Sequence, residues 1–125
     1  MKRIIATKNA PAAVGPYSQA VEANGTLYVS GQIPLDPATG VCAEGIEAQS
    51  RRALENVKAI LTEAGYALSD VVKATVLLDS IQDFAAMNAV YSTFFTENMP
   101  ARACYEVARL PLGVLVEIEV IAVKG

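Results

Sequence analysis

Apolar residues along the chain recur in two rhythms. In some stretches every second position is apolar, and in two longer stretches they return after roughly three or four positions. The first rhythm belongs to strands and the second to helices, because side chains alternate across a strand but wind around a helix. Residues 2–6 read as a short strand. Residues 8–16 hold Pro11, Gly15 and Pro16 and form an irregular loop. Residues 19–23 and 26–30 flank Asn24-Gly25, a hairpin signal, since both central residues of a type I′ turn need positive φ. Residues 31–45 carry Pro34, Asp36-Pro37 and Gly40 and read as a turn-rich loop.

The helical rhythm is plain over 46–64, where Leu54, Val57, Leu61 and Ala64 form a stripe widened by Ile60, and Gly65 stands where a helix stops. Residues 71–78 read as a strand apolar on nearly both faces, hence central. Ser80 followed by Asp83 resembles a capping box and opens a second helix over about 82–97, with Phe84, Met87, Tyr91, Phe94 and Phe95 on one side and Pro100 beyond its end. Residues 101–108 and 115–123 read as two more strands. The order β, β, β, α, β, α, β, β predicts an α+β domain over 1–125, with two helices on one face of a mixed sheet.

Composition sharpens this picture. Hydrophobic residues make up 53% of the 125 and charged residues 18%, which excludes disorder and leaves apolar surface for another subunit to cover. The net charge of −3 lacks the basic face that nucleic acid requires. With no histidine, Ser-His-Asp and Cys-His catalysis and His-ligated metals drop out together. Two cysteines, Cys42 and Cys104, are too few for a disulfide framework or a tetrahedral zinc site. The apolar stretch after Lys2-Arg3 ends at Ala6, too short for a signal peptide, and no window approaches a membrane span, so a reduced, cytoplasmic protein is expected.

Strand alternation places Arg102, Cys104 and Glu106 on one side of their strand, and Glu117 and Glu119 together on theirs. A carboxylate inside an apolar strand is costly unless it is paired or at a rim. Glu117 therefore reads either as a solvated edge residue or as a carboxylate aimed into a cleft beside Arg102. Arg102 offers a planar fork suited to a carboxylate, or a surface salt bridge. Cys104 has no histidine to activate it and reads as a small buried hydrophobe more readily than as a nucleophile. Tyr17, after Gly15-Pro16, could anchor a ligand or pack its own loop. Ser30-Gly31 ends a strand, where backbone groups come free for a ligand or a turn.

Ala10-Pro11, Gly15-Pro16-Tyr17-Ser18-Gln19-Ala20, Ser30-Gly31-Gln32-Ile33-Pro34, Pro100-Ala101-Arg102 and Glu117-Ile118-Glu119 recur here as a set, with Asn88 and Tyr91 in the second helix. This set resembles the Rid family, the reactive intermediate deaminases also called YjgF-type, and within it the RidA branch. The resemblance spans essentially the whole chain. It implies a chorismate-mutase-like fold and a homotrimer whose sheets form a central barrel with clefts between neighbours. It also implies hydrolysis of enamines and imines such as 2-aminoacrylate, 2-iminopropanoate and 2-iminobutanoate to 2-oxo acids and ammonia, without a cofactor or metal. By position, the carboxylate-binding arginine falls on Arg102 and the water-positioning glutamate on Glu117. Tyr17, Ser30, Gly31, Asn88 and Cys104 fall on the substrate-binding positions. Ala103 departs from the Ser or Thr of many relatives, but alternation turns it away from Arg102.

Three other functions compete. A 2-oxo-acid-binding regulatory trimer would need Arg102 but gives Glu117 less purpose. An endoribonuclease or translation inhibitor fits poorly with the acidic charge. A chorismate mutase rests on fold analogy alone.

Overall fold

The computed structural model describes residues 1–124; Gly125, the last residue of the span expected to form one domain, lies outside the described residues. Six strands, β1 (Lys2–Ile5), β2 (Ala20–Ala23), β3 (Thr26–Gln32), β4 (Val71–Leu78), β5 (Ala101–Glu106) and β6 (Val116–Val123), form one sheet in the order β1-β2-β3-β6-β4-β5. Among the described residues, only β4 and β5 pair in parallel. That pair needs a crossover, which α2 (Phe84–Phe94) supplies. The hairpin at Asn24-Gly25 has φ of 52° and 77°, as a type I′ turn requires.

The first helix, α1 (Ile46–Ala64), lies over β3 and β6 and against α2. Its apolar stripe is the reason: Ala53, Leu54, Val57, Ile60 and Leu61 are all fully buried. Each large aliphatic side chain there stabilises the fold by about 1.5–3 kcal/mol. Gly65 ends the helix in the left-handed region at φ 85°, with its N–H on Thr62 O. Arg3 Nη2 and Lys124 Nζ then donate to the free carbonyls of Ala64 and Gly65 at 2.9 and 2.8 Å, placing cations at the negative end of the helix.

Two expectations are corrected. The second helix is shorter than 82–97. Ser80 Oγ accepts from the Gln82 N–H and Asp83 N–H bonds to Ser80 O, so a 3₁₀ turn, Ile81–Asp83, comes before α2. At the other end Phe95 turns extended and places its ring 4.7 Å from that of Tyr91. The strand expected to end at Ser30 runs on to Gln32 through a bulge. Val29 pairs with Val120 and Gln32 with Ile118, so Ser30-Gly31 hold one residue more than β6 opposes.

The sheet has a helix face and an open face. Val116, Ile118, Val120 and Ala122 of β6, with Val71, Ala74, Val76 and Leu78 of β4, are buried beneath the helices. The open face carries Ile4, Val21, Tyr28, Leu77, Tyr105, Ile121 and Val123, left exposed or half-buried, with Glu117 and Glu119 among them. Among the described residues, no helix is long and apolar enough to cross a membrane.

Candidate active site

The candidate residues fall into separate groups. Arg102 pairs across the ladder with Ala74, and Cys104 with Val76, both buried under the helices. Paired residues share a face, so Arg102 and Cys104 belong to the helix face, at the outer edge formed by β5. There α2 meets the arginine. Arg102 Nη1 donates to Asn88 Oδ1 at 2.7 Å, and the guanidinium carbon lies 4.6 Å from the centre of the Tyr91 ring and 5.5 Å from that of Phe84. Arg102, Asn88 and Tyr91 border a cavity of about 330 Å³ whose lining also includes Phe95 and Pro100. The half-buried guanidinium has no carboxylate within ion-pair distance among the described residues. Burial pushes the Cys104 thiol up, and the charge of Arg102 opposes this. The sulfur therefore remains a thiol; its side chain is half-buried against the core rather than buried in it.

Glu117 lies on the other side. It pairs with Leu77, which pairs in turn with Tyr105, and all three belong to the open face. The expectation of Glu117 beside Arg102 therefore does not hold within one chain. The two are two strands apart and point away from one another through the sheet. Burial first, and then the neighbouring Glu119 carboxylate, raise the Glu117 carboxyl above its ordinary value. Its partner in space is Gly31. A Cβ built on Gly31 would collide with Glu117 Oε2 and stand 2.8 Å from its Cδ. Gly31 has no left-handed φ, so glycine is needed there for the room it leaves the carboxylate.

Ser30 is already engaged: Oγ donates to Ser18 O at 2.6 Å and N–H to Gln19 O at 2.9 Å, tying the 7–19 loop to the bulge. Tyr17 stands exposed on that loop, over a cleft of about 740 Å³ that also takes in Ile4, Ala6, Ser18 and Pro37. The strand it leads into is separated from β5 by three others, about 19 Å at ordinary strand spacing. One chain thus assembles an arginine half, with Asn88, Cys104 and Arg102, and a glutamate half, with Ser30, Gly31 and Glu117, while Tyr17 stands apart from Arg102.

Phe84 and Tyr91 are expected on one side of the second helix, but their contact with Arg102 is not among the expectations. The signal was present in the i, i+4, i+7 spacing of Phe84, Asn88 and Tyr91, which stacks them on one side of a helix. Among the described residues, no group of three or more acidic and cysteine side chains is placed to hold a metal ion.

Fold and cavity together define a class: a small α+β domain with a cation lacking an anionic partner at one sheet edge. The chain belongs to the endoribonuclease L-PSP family, the YjgF or Rid proteins, whose family model matches residues 7–124. It is 54% identical over 127 residues to the 2-iminobutanoate/2-iminopropanoate deaminase of Salmonella typhimurium, with 99% of each chain covered. The YjgF gene product of Escherichia coli superposes with a TM-score of 0.95 at 50% identity, covering 98% of this chain and 99% of that one. Escherichia coli TdcF with bound serine superposes with a TM-score of 0.96 at 46% identity, covering 98% and 99%.

Proposed function

We propose that this chain is an imine deaminase that hydrolyses 2-iminopropanoate and 2-iminobutanoate to 2-oxo acids and ammonia. The observation that carries the reading is Arg102, a half-buried cation held by a neutral amide and two aromatic faces. Such a cation is left for a ligand's carboxylate, which its fork would bind through two parallel N–H bonds. The name of the Salmonella relative supports the substrate class, and the serine bound to TdcF supports a site for a small amino-acid-like molecule.

An imine carbon is already electrophilic, so a held substrate and one oriented water supply most of what the reaction needs. Water adds to the C=N carbon, its proton passes to nitrogen, and the resulting carbinolamine expels ammonia to leave the C=O. Glu117 orients that water and accepts its proton in passing. Since Glu117 and Arg102 of one chain face apart, the glutamate half comes from a second copy, as does Tyr17. Ser30 and Gly31 wall the cleft with Glu117, and Cys104 lines the pocket beside Arg102. A homotrimer with its open sheet faces turned inward meets this need and covers Ile4, Tyr28, Tyr105 and Ile121. The free thiols of Cys42 and Cys104 suit work in the reducing cytoplasm.

The test generates 2-iminobutanoate with a threonine dehydratase and follows 2-oxobutanoate release. The protein should accelerate release, and Arg102→Ala should lose about 2–4 kcal/mol of transition-state stabilisation. Tight 2-oxobutanoate binding without acceleration would point instead to a regulatory binder. RNA cleavage that persists in Arg102→Ala, without imine turnover, would replace this reading with a nuclease.

A further inference from the structure

Asn88, Tyr91 and Phe84 raise a question that the reaction leaves open: why does this arginine rest on an amide and on aromatic rings? A long, half-buried arginine side chain usually takes a carboxylate partner. An aspartate at position 88 would make the same hydrogen bond more strongly. It would also neutralise the guanidinium and compete with an incoming anion. The Asn88 amide oxygen takes one of the five N–H donors and leaves the charge whole. The ring of Tyr91, at 4.6 Å, attracts the cation through its π face, again without supplying an anion. Asn88 and Tyr91 lie on adjacent turns of α2, so one rigid element supports the guanidinium twice.

Tyr91 also holds a buried hydroxyl with no hydrogen-bond partner among the described residues, in a residue only 7% exposed. Such a group costs free energy and calls for an explanation. The oxygen has almost no accessible surface, although Tyr91 borders the cavity. The useful part of Tyr91 is the ring beneath Arg102, and the hydroxyl goes with it.

We propose that Asn88 and Tyr91 are positioning residues that fix the plane of the Arg102 guanidinium while leaving its positive charge uncompensated for a substrate carboxylate. This deepens the deaminase reading and rests on it. It moves Asn88 from direct substrate contact to action through the arginine.

The experiment uses the full chain labelled with ¹⁵N-arginine, with Arg102 assigned by comparison with Arg102→Lys. In the parent, rotation about the Cζ–Nη bonds should be slowed, giving separate Nη signals. Asn88→Ala, at a half-buried position that tolerates the change, and Tyr91→Leu should each merge them. Both should weaken 2-oxobutanoate binding and raise KM, with a loss in kcat/KM of roughly tenfold to a hundredfold. Tyr91→Phe keeps the ring and should match the parent in spectrum and kinetics. Asn88→Asp should keep Arg102 ordered yet abolish 2-oxobutanoate binding, a combination that a merely structural role does not produce. If Tyr91→Leu does not fold, the Asn88 pair carries the test. A parent that neither binds 2-oxobutanoate nor turns over the imine overturns the deaminase reading, whatever the spectra show. An active, Arg102-dependent parent whose Arg102 stays ordered in Asn88→Ala, or whose Asn88→Asp variant still binds, overturns the positioning role alone.

Discussion

Arg102 and Glu117 lie on opposite faces of one sheet, two strands apart, with the buried Val76–Ile118 pair between their ladders. A three- or four-carbon acid cannot reach both through that layer. If one substrate needs both groups, two chains must supply them.

That division predicts complementation. Arg102→Ala and Glu117→Gln should each be severely impaired alone. Co-expressed in equal amounts, they should assemble mixed oligomers in which roughly a quarter of the clefts join a native Arg102 to a native Glu117. The coupled imine assay on the purified mixture should recover about that fraction of parental activity. Recovery no greater than the mean of the two single variants would mean that the site is not shared between copies.

A second prediction follows from Gly31. Its missing side chain is the space in which the Glu117 carboxylate lies. Gly31→Ala should fold with little change in Tm, because the carboxylate can swing away, but turnover should fall by roughly tenfold or more as the carboxylate leaves its place. In a Glu117→Ala background the same substitution should cost almost nothing further. A double-mutant cycle measures this coupling. Independent, additive losses would show that Gly31 acts on something other than Glu117.

Much of this arrangement was legible in the chain. The bounds of α1 and β4 match the expected ones because an amphipathic stripe ending at Gly65, and an apolar run entered from a polar turn, leave few alternatives. The faces within β5 and β6 also follow from alternation alone. What alternation could not supply is which face of one strand matches which face of another. That depends on register, Ala74 opposite Arg102 and Leu77 opposite Glu117, and register is a tertiary property. The bulge at Ser30-Gly31 was hidden for the same reason: an extra residue shows itself only against the strand it opposes.

The pH dependence should report the Glu117–Glu119 pair. Burial first, and Glu119 second, raise Glu117 above its ordinary value of 4.5. A carboxylate that orients water must be ionised, so the acid limb of kcat/KM should lie above that value. Glu119→Gln removes the second cause and should move the limb down, though not fully, because burial remains. For stability the sign is opposite to that of a salt-bridged acid. The native chain holds this proton more tightly than the unfolded chain, so the contribution of Glu117 weakens as pH rises through the window between the two values. Parallel pH–rate profiles of parent and Glu119→Gln provide the check, and superimposable acid limbs would remove Glu117 from the titrating step.

The last prediction concerns the junction that holds the end of α1 to the sheet. Tyr66 is buried and donates its hydroxyl to Glu22 Oε2 at 2.7 Å, while Arg3 Nε donates to Glu22 Oε1 at 3.0 Å. Burial first, and then the bond to Glu22, push the Tyr66 phenol up to about 12 from an ordinary 10.0. The fold favours the protonated phenol, so native protein keeps a proton that the unfolded chain gives up near 10. This stabilisation is whole below the unfolded value and is lost as pH rises from there towards 12. Ultraviolet difference titration should therefore show a late phenol step from Tyr66, close to the onset of alkaline unfolding. Tyr66→Phe should abolish that late step and lower stability to denaturant at neutral pH by removing the bond to Glu22. The gap between parent and variant should narrow as the pH climbs through the same window, because the parent then loses its advantage too. A gap that stays constant with pH, or a late step unchanged in Tyr66→Phe, would show that Tyr66 does not hold this junction.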